Sequence, residues 1–135
     1  MKILIDTNVI LDLLLEREPF VESAIDLFEQ IERGQFAGYI AATSITNIFY
    51  ILRKTEGRDV ALAAINRLLI GLQFCAVDRQ TISTALSLEL KDFEDSIQLA
   101  CATLAHLDAI VTRDCRDFIG STLPIYSPAD LLSQI

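Results

Sequence analysis

Short, nearly unbroken apolar runs alternate along this chain with longer stretches in which apolar residues recur every three or four positions. The runs are KILI, GYIAA, QFCAV, DAIVT and PIY, each too short for a helix and each reading as a strand buried on both faces. Helical stretches lie between them. VILDLLL follows Asn8, and Pro19 opens a longer helix to about Arg33, with Val21, Ile25 and Phe28 in register and Gly34 closing it. Thr43 or Ser44 caps a helix whose Ile45, Ile48, Phe49 and Leu52 share a face, and Gly57 ends it. RDVALAAINRLLIGL is the next helix. Asp78 caps another from about Arg79 to Leu88, KDFEDSIQLACATLAHL forms a further one, and Pro128 opens the last.

Strands alternating with helices imply βαβ units and a mostly parallel sheet covered on both faces. At 135 residues the chain is expected to be one such domain, spanning 1–135, with enough core to fold without disulfides or metals. Open parallel sheets bind ligands beyond the carboxyl ends of their strands. Those ends here carry Asp6, Thr43/Ser44, Asp78 and Thr112, with Asp114 just beyond.

Composition narrows the possibilities. With 52% apolar and 22% charged residues the chain is not disordered, and no apolar run reaches the ~20 residues needed to cross a bilayer. The N-terminus lacks signal-peptide anatomy, so a soluble, cytoplasmic protein is expected. Cys75, Cys101 and Cys115 lack metal-ligand spacing and, beside a lone His106, assemble no soft-ligand metal site. A net charge of −8 argues against gripping nucleic acid along a broad basic face, but not against reaching phosphate through bound cations. It also suits a basic polypeptide partner.

Three acid clusters then demand explanation. Asp6 directly follows KILI, and its simplest role is a helix cap worth about 1 kcal/mol. DFED (Asp92, Glu94, Asp95) opens the helix before the fourth strand, where one cap and one further acid would suffice. TRDCRDF places Asp114 and Asp117 in the turn after DAIV, where a solvated loop is the ordinary reading. Taken together, the clusters converge on one rim of a parallel sheet. Crowded carboxylates repel unless cations neutralise them, and Mg²⁺ or Mn²⁺ prefers oxygen ligands and can bridge carboxylates to phosphate. Paired ions stabilise the attacking and leaving oxygens of phosphodiester hydrolysis, a coherent task for Asp6, Asp95 and Asp114.

ILIDTNVILDLL, TSITNIFYILRK, DFEDSIQLACA and IVTRDCRDF, in this order and spacing, resemble the PIN-domain family over essentially the whole chain, and within it the VapC-type toxins of toxin–antitoxin pairs. The resemblance implies an α/β fold with a parallel five-stranded sheet of order 3-2-1-4-5, helices on both faces, and Mg²⁺- or Mn²⁺-dependent ribonuclease activity on RNA. It also implies a cognate antitoxin and a homodimer. By motif it carries the family's acids onto Asp6, Asp95 and Asp114, with Asp117 as an auxiliary metal ligand and Thr112 as a hydroxyl lining the site. Asp92 and Asn8 enter as auxiliary residues, and Glu94 has a weaker claim.

One position departs from the family pattern. Asn47 stands where most members have a glutamate, retaining an oxygen donor but removing a charge. The alternative reading is therefore a PIN scaffold with weakened catalysis that binds RNA or a protein partner. A haloacid-dehalogenase-type phosphatase would need a second aspartate where Asn8 stands. Arg53 and Lys54 suit either an RNA backbone or their own helix dipole. Arg113 and Arg116 flank the acid loop and can neutralise it or touch phosphate, while His106 reads as a helix-end or packed side chain.

Overall fold

A computed structural model describes all 135 residues. Strand β1 (Lys2–Ile5) leads into α1 (Thr7–Leu14) and α2 (Val21–Glu32), followed by β2 (Ala37–Ala41), α3 (Ser44–Glu56) and α4 (Arg58–Gly71). Then come β3 (Gln73–Cys75), α5 (Arg79–Leu88), α6 (Phe93–Leu104) and β4 (Ala109–Val111). A 3₁₀ turn at Cys115–Phe118, β5 (Ile125–Tyr126) and α7 (Pro128–Leu132) complete the chain. The five strands form one parallel sheet in the order β3-β2-β1-β4-β5, the order the motif resemblance implies.

Central β1 explains the layering. Ile3, Leu4 and Ile5 are all fully buried, so the strand shows no polar face, as a parallel sheet covered on both sides requires. Ile3 and Ile5 point into a core shared with α1 to α4, whereas Leu4 points into a second core with Ala85 of α5 and Leu99 and Ala102 of α6. At Gly38 of β2 a Cβ would come within 2.7 Å of Leu72 and 3.0 Å of Ile31, so glycine lets this helix layer close onto the sheet. No helix is long and apolar enough to cross a membrane.

Several expected boundaries shift. Helix α1 begins at Thr7 rather than after Asn8, α2 begins at Val21 rather than at Pro19, and β3 ends at Cys75. Thr43 occupies the N-cap of α3 but makes no capping bond. Its αR backbone (φ −68°, ψ −21°) already lies in the helical region rather than in the extended conformation usual for a capping side chain.

Candidate active site

Sheet register delivers Asp6 and Thr112 to the same place. Ile5 pairs with Val111, and the Asp6 N–H donates to the Val111 carbonyl at 2.9 Å, so the residue following each strand emerges side by side. Asp6 holds the N-cap position of α1, yet its side chain caps nothing. Instead Oδ1 accepts from Gln98 Nε2 at 2.9 Å and Oδ2 accepts from the Thr112 hydroxyl at 2.7 Å. With Asp6 only 5% exposed, these bonds aim a buried carboxylate rather than terminate a helix. Each oxygen keeps lone-pair capacity for a further contact.

Helix α6 brings the next acids. Asp92 is its N-cap and accepts the Asp95 N–H at 3.2 Å, which meets the helix's need for a cap. Glu94 and Asp95 are surplus to that need and half-buried. Asp95 is pushed up to about 7, first by burial and then by Asp6, Asp92, Asp117 and Glu94. Burial also raises Glu94, with Asp6 and Asp92 adding to the shift. The nearby Thr7 hydroxyl opposes it but is left without a well-formed hydrogen bond of its own. Asn47, exposed on α3, donates Nδ2–H to Glu94 Oε2 at 2.7 Å. The position where the family pattern has a glutamate thus faces an acid supplied by α6.

Asp114 stands apart. It lines the same open cavity of about 740 Å³ as Asp92, Asp95 and Asp117, but its carboxylate forks onto Arg116, with Nε to Oδ1 at 3.0 Å and Nη2 to Oδ2 at 3.1 Å. That hydrogen-bonded pairing holds Asp114 below the usual carboxylate range. It also accepts the Arg116 N–H as cap of the 3₁₀ turn. No three acid, His or Cys side chains converge as a ready metal cage. The donor chemistry still fits a hard cation, since the cluster offers only oxygen and its members repel one another.

Other sequence candidates fall into place around this core. Thr112 does not line the cavity with a free hydroxyl, because its Oγ1 donates to Asp6 and accepts the Asp114 N–H at 3.3 Å. Asn8 Oδ1 accepts the Arg113 N–H at 3.3 Å and so tethers the loop after β4. Of the two flanking arginines, Arg116 neutralises Asp114, whereas Arg113 turns away to Asp12. His106 is an exposed residue in left-handed conformation (φ 56°) just beyond α6. Sequence reasoning passed over Gln98 and Asp12. Their signal was a lone polar residue inside an apolar helix, SIQLACA and VILDLLL, which a count of acids at strand ends does not register.

Comparison with known proteins addresses the family and the fold. A family model described as a PIN domain matches residues 2–116. Solved structures share the fold at low identity. VapBC2 from Rickettsia felis, bound to a promoter DNA fragment, is 15% identical with a TM-score of 0.73, covering 94% of this chain and 98% of that one. A toxin–antitoxin complex from Klebsiella pneumoniae is 22% identical with a TM-score of 0.70, covering 93% and 96%. The sarcin–ricin-loop-cleaving toxin VapC20 of Mycobacterium tuberculosis is 14% identical with a TM-score of 0.66, covering 80% and 86%. No curated protein matches by sequence. With a family model spanning most of its length, this sheet order, and acids gathered where β1 and α6 meet, the chain belongs to the PIN-domain family.

Proposed function

We propose that this PIN domain is a Mg²⁺- or Mn²⁺-dependent endoribonuclease and the toxin of a type II toxin–antitoxin pair. The observation that carries this reading is the surplus of acid at the start of α6, where Asp95 is pushed up to about 7 beside the buried Asp6 carboxylate. Such crowding destabilises the protein alone and is relieved by a divalent cation. Asp6, Asp95 and Asp114 are the proposed ligands, with Asp117 auxiliary. When bound, the ion supplies Lewis acidity toward the phosphodiester and activation of water.

The chain's own residues do the rest. Gln98 and Thr112 fix both oxygens of Asp6, so that carboxylate is oriented before any ligand arrives. Asn47 holds Glu94 at the edge of the cluster, and this pairing supplies the negative charge that Asn47 itself lacks. Asp114 would help hold the ion in place of its present partner Arg116. Arg116 would then be available to a phosphate of the RNA backbone at the cavity mouth.

The proposed partners are a cognate antitoxin and a second copy of the chain. The similar solved structures include toxin–antitoxin complexes. A net charge of −8 suits an antitoxin whose Arg or Lys enters the carboxylate cluster and excludes metal. The second reading, a PIN scaffold with weakened cleavage, draws on Asn47 and on the Asp114–Arg116 pairing. Mn²⁺-dependent cleavage of total RNA by purified protein, set beside the Asp6→Asn/Asp95→Asn double variant, separates the two. Cleavage confined to the wild type supports the nuclease. Equal cleavage by both removes the enzyme from this site, and absence of cleavage with retained RNA binding favours the scaffold.

A further inference from the structure

Behind the acid rim lies an ion pair that the proposed reaction does not use. Asp12 sits in α1 among apolar neighbours and is only 2% exposed, a rare placement for a carboxylate unless it is paired. Its Oδ2 lies 3.2 Å from Arg113 Nε, and Arg17 Nη1 stands 3.8 Å from Oδ1, which has no hydrogen-bond partner. The Arg113 guanidinium also lies over the Phe20 ring, 4.3 Å from its centroid. Its backbone N–H donates to Asn8 Oδ1. One residue of an otherwise open loop is therefore clamped at its backbone, at its charge and across its face.

Its neighbours in sequence explain why that matters. On one side, Thr112 bonds Asp6 and accepts the Asp114 N–H; on the other, Asp114 begins the 3₁₀ turn and lines the acid cavity. A buried ion pair is often no more stabilising than apolar residues of similar volume, so stability alone is a poor reason for it. Geometry is a better one. We propose that Asp12, acting through Arg113, is a positioning residue that sets where the loop carrying Asp114 leaves β4, and so where Asp114 meets the metal. This rests on the nuclease reading above, but its geometric core can be examined without activity.

The test compares wild type with Asp12→Leu and with the double variant Asp12→Leu/Arg113→Met, which removes both charges together and avoids stranding one of them. Four quantities are read: hydrogen exchange at residues 113–118 in metal-free protein, Mn²⁺ affinity by calorimetry, and kcat and KM for RNA cleavage. In the folded double variant, exchange at 113–118 is expected to accelerate about tenfold while the β1 and β4 amides stay protected. Mn²⁺ affinity should weaken several-fold, and kcat should drop by about tenfold or more with KM little changed, as for a displaced catalytic ligand. Unchanged exchange, or faster exchange with unchanged Mn²⁺ affinity, overturns the positioning role and leaves the nuclease reading standing. A wild type that neither binds Mn²⁺ nor cuts RNA overturns both.

Discussion

Two consecutive helices of this protein start with an aspartate, and only one of those starts carries further acids in its first turn. At α5, Asp78 accepts the Thr81 N–H at 3.0 Å and Thr81 Oγ1 accepts the Asp78 N–H at 3.4 Å, a reciprocal capping box. Those bonds from Thr81 hold Asp78 below the usual carboxylate range. At α6, Asp92 performs the same service for Asp95, yet Glu94 and Asp95 follow it, half-buried and both raised. A cap lowers a carboxylate's pKa because the charged form gains a donor; crowding raises it because the charged form loses water and meets other anions. At these two helix starts the direction of the shift therefore separates the capping Asp78 from the crowded Glu94 and Asp95.

The comparison breaks most sharply on activity. Asp6→Asn or Asp95→Asn should lower Mn²⁺-stimulated RNA cleavage by more than about a hundredfold, a loss of roughly 2.7 kcal/mol of transition-state stabilisation. Asp78→Ala, in the same assay, should leave cleavage within about twofold of wild type, since its carboxylate is engaged by Thr81 and lines none of the acid cavity. An equal loss in both variants would mean that the α6 acids, too, act only through the fold.

A smaller effect is expected at the pair that bridges α3 and α6. Asn47→Glu would set a second carboxylate against Glu94, so it should tighten Mn²⁺ binding about threefold or more and lower the metal-free melting temperature. Glu94→Gln should do the reverse on both counts. Calorimetry and thermal melts read the two quantities, and a flat response to both substitutions would remove this pair from the metal site.

Stability supplies the gentlest tests. Asp78→Ala should lower the melting temperature by about 4 °C through loss of the capping box. For α6 the effect depends on pH. In the folded, metal-free protein Asp95 keeps its proton up to about 7, whereas an unfolded aspartate loses it near ~3.9. The folded state binds more protons across that window, so this contribution is fully present below it and is lost as pH rises through 7. Thermal melts between about pH 5 and pH 8 should show wild type losing stability with rising pH, and Asp95→Asn should flatten that slope. The same slope in both proteins would place the raised group elsewhere.

The α/β class, the alternation of elements and the acid-bearing ends of β1 and α6 were all legible in one dimension. Short apolar runs buried on both faces and period-3.6 burial leave direct marks on residue order, and a surplus of acid beyond a cap can be counted. The strand order came from motif resemblance, since periodicity says which segments are strands but not which are neighbours. The two Asp-led starts illustrate the limit. DRQT and DFED both look like caps, and their difference lies in what faces them across the sheet.

By itself the sequence determined which residues are apolar enough to be buried, where helices and strands alternate, and that carboxylates gather at the strand ends. Those are local consequences of side-chain chemistry and backbone period. Tertiary structure alone decided what each acid is paired with. Asp6 is aimed by Gln98 and Thr112, residues 92 and 106 positions away, and so serves the rim rather than its own helix. Asp114 turns to Arg116, Asn47 finds Glu94, and the unremarked Asp12 meets Arg113 behind the rim. A carboxylate's role is set by the donors and charges a few ångströms from it, and across a parallel sheet those come from segments far apart in the chain.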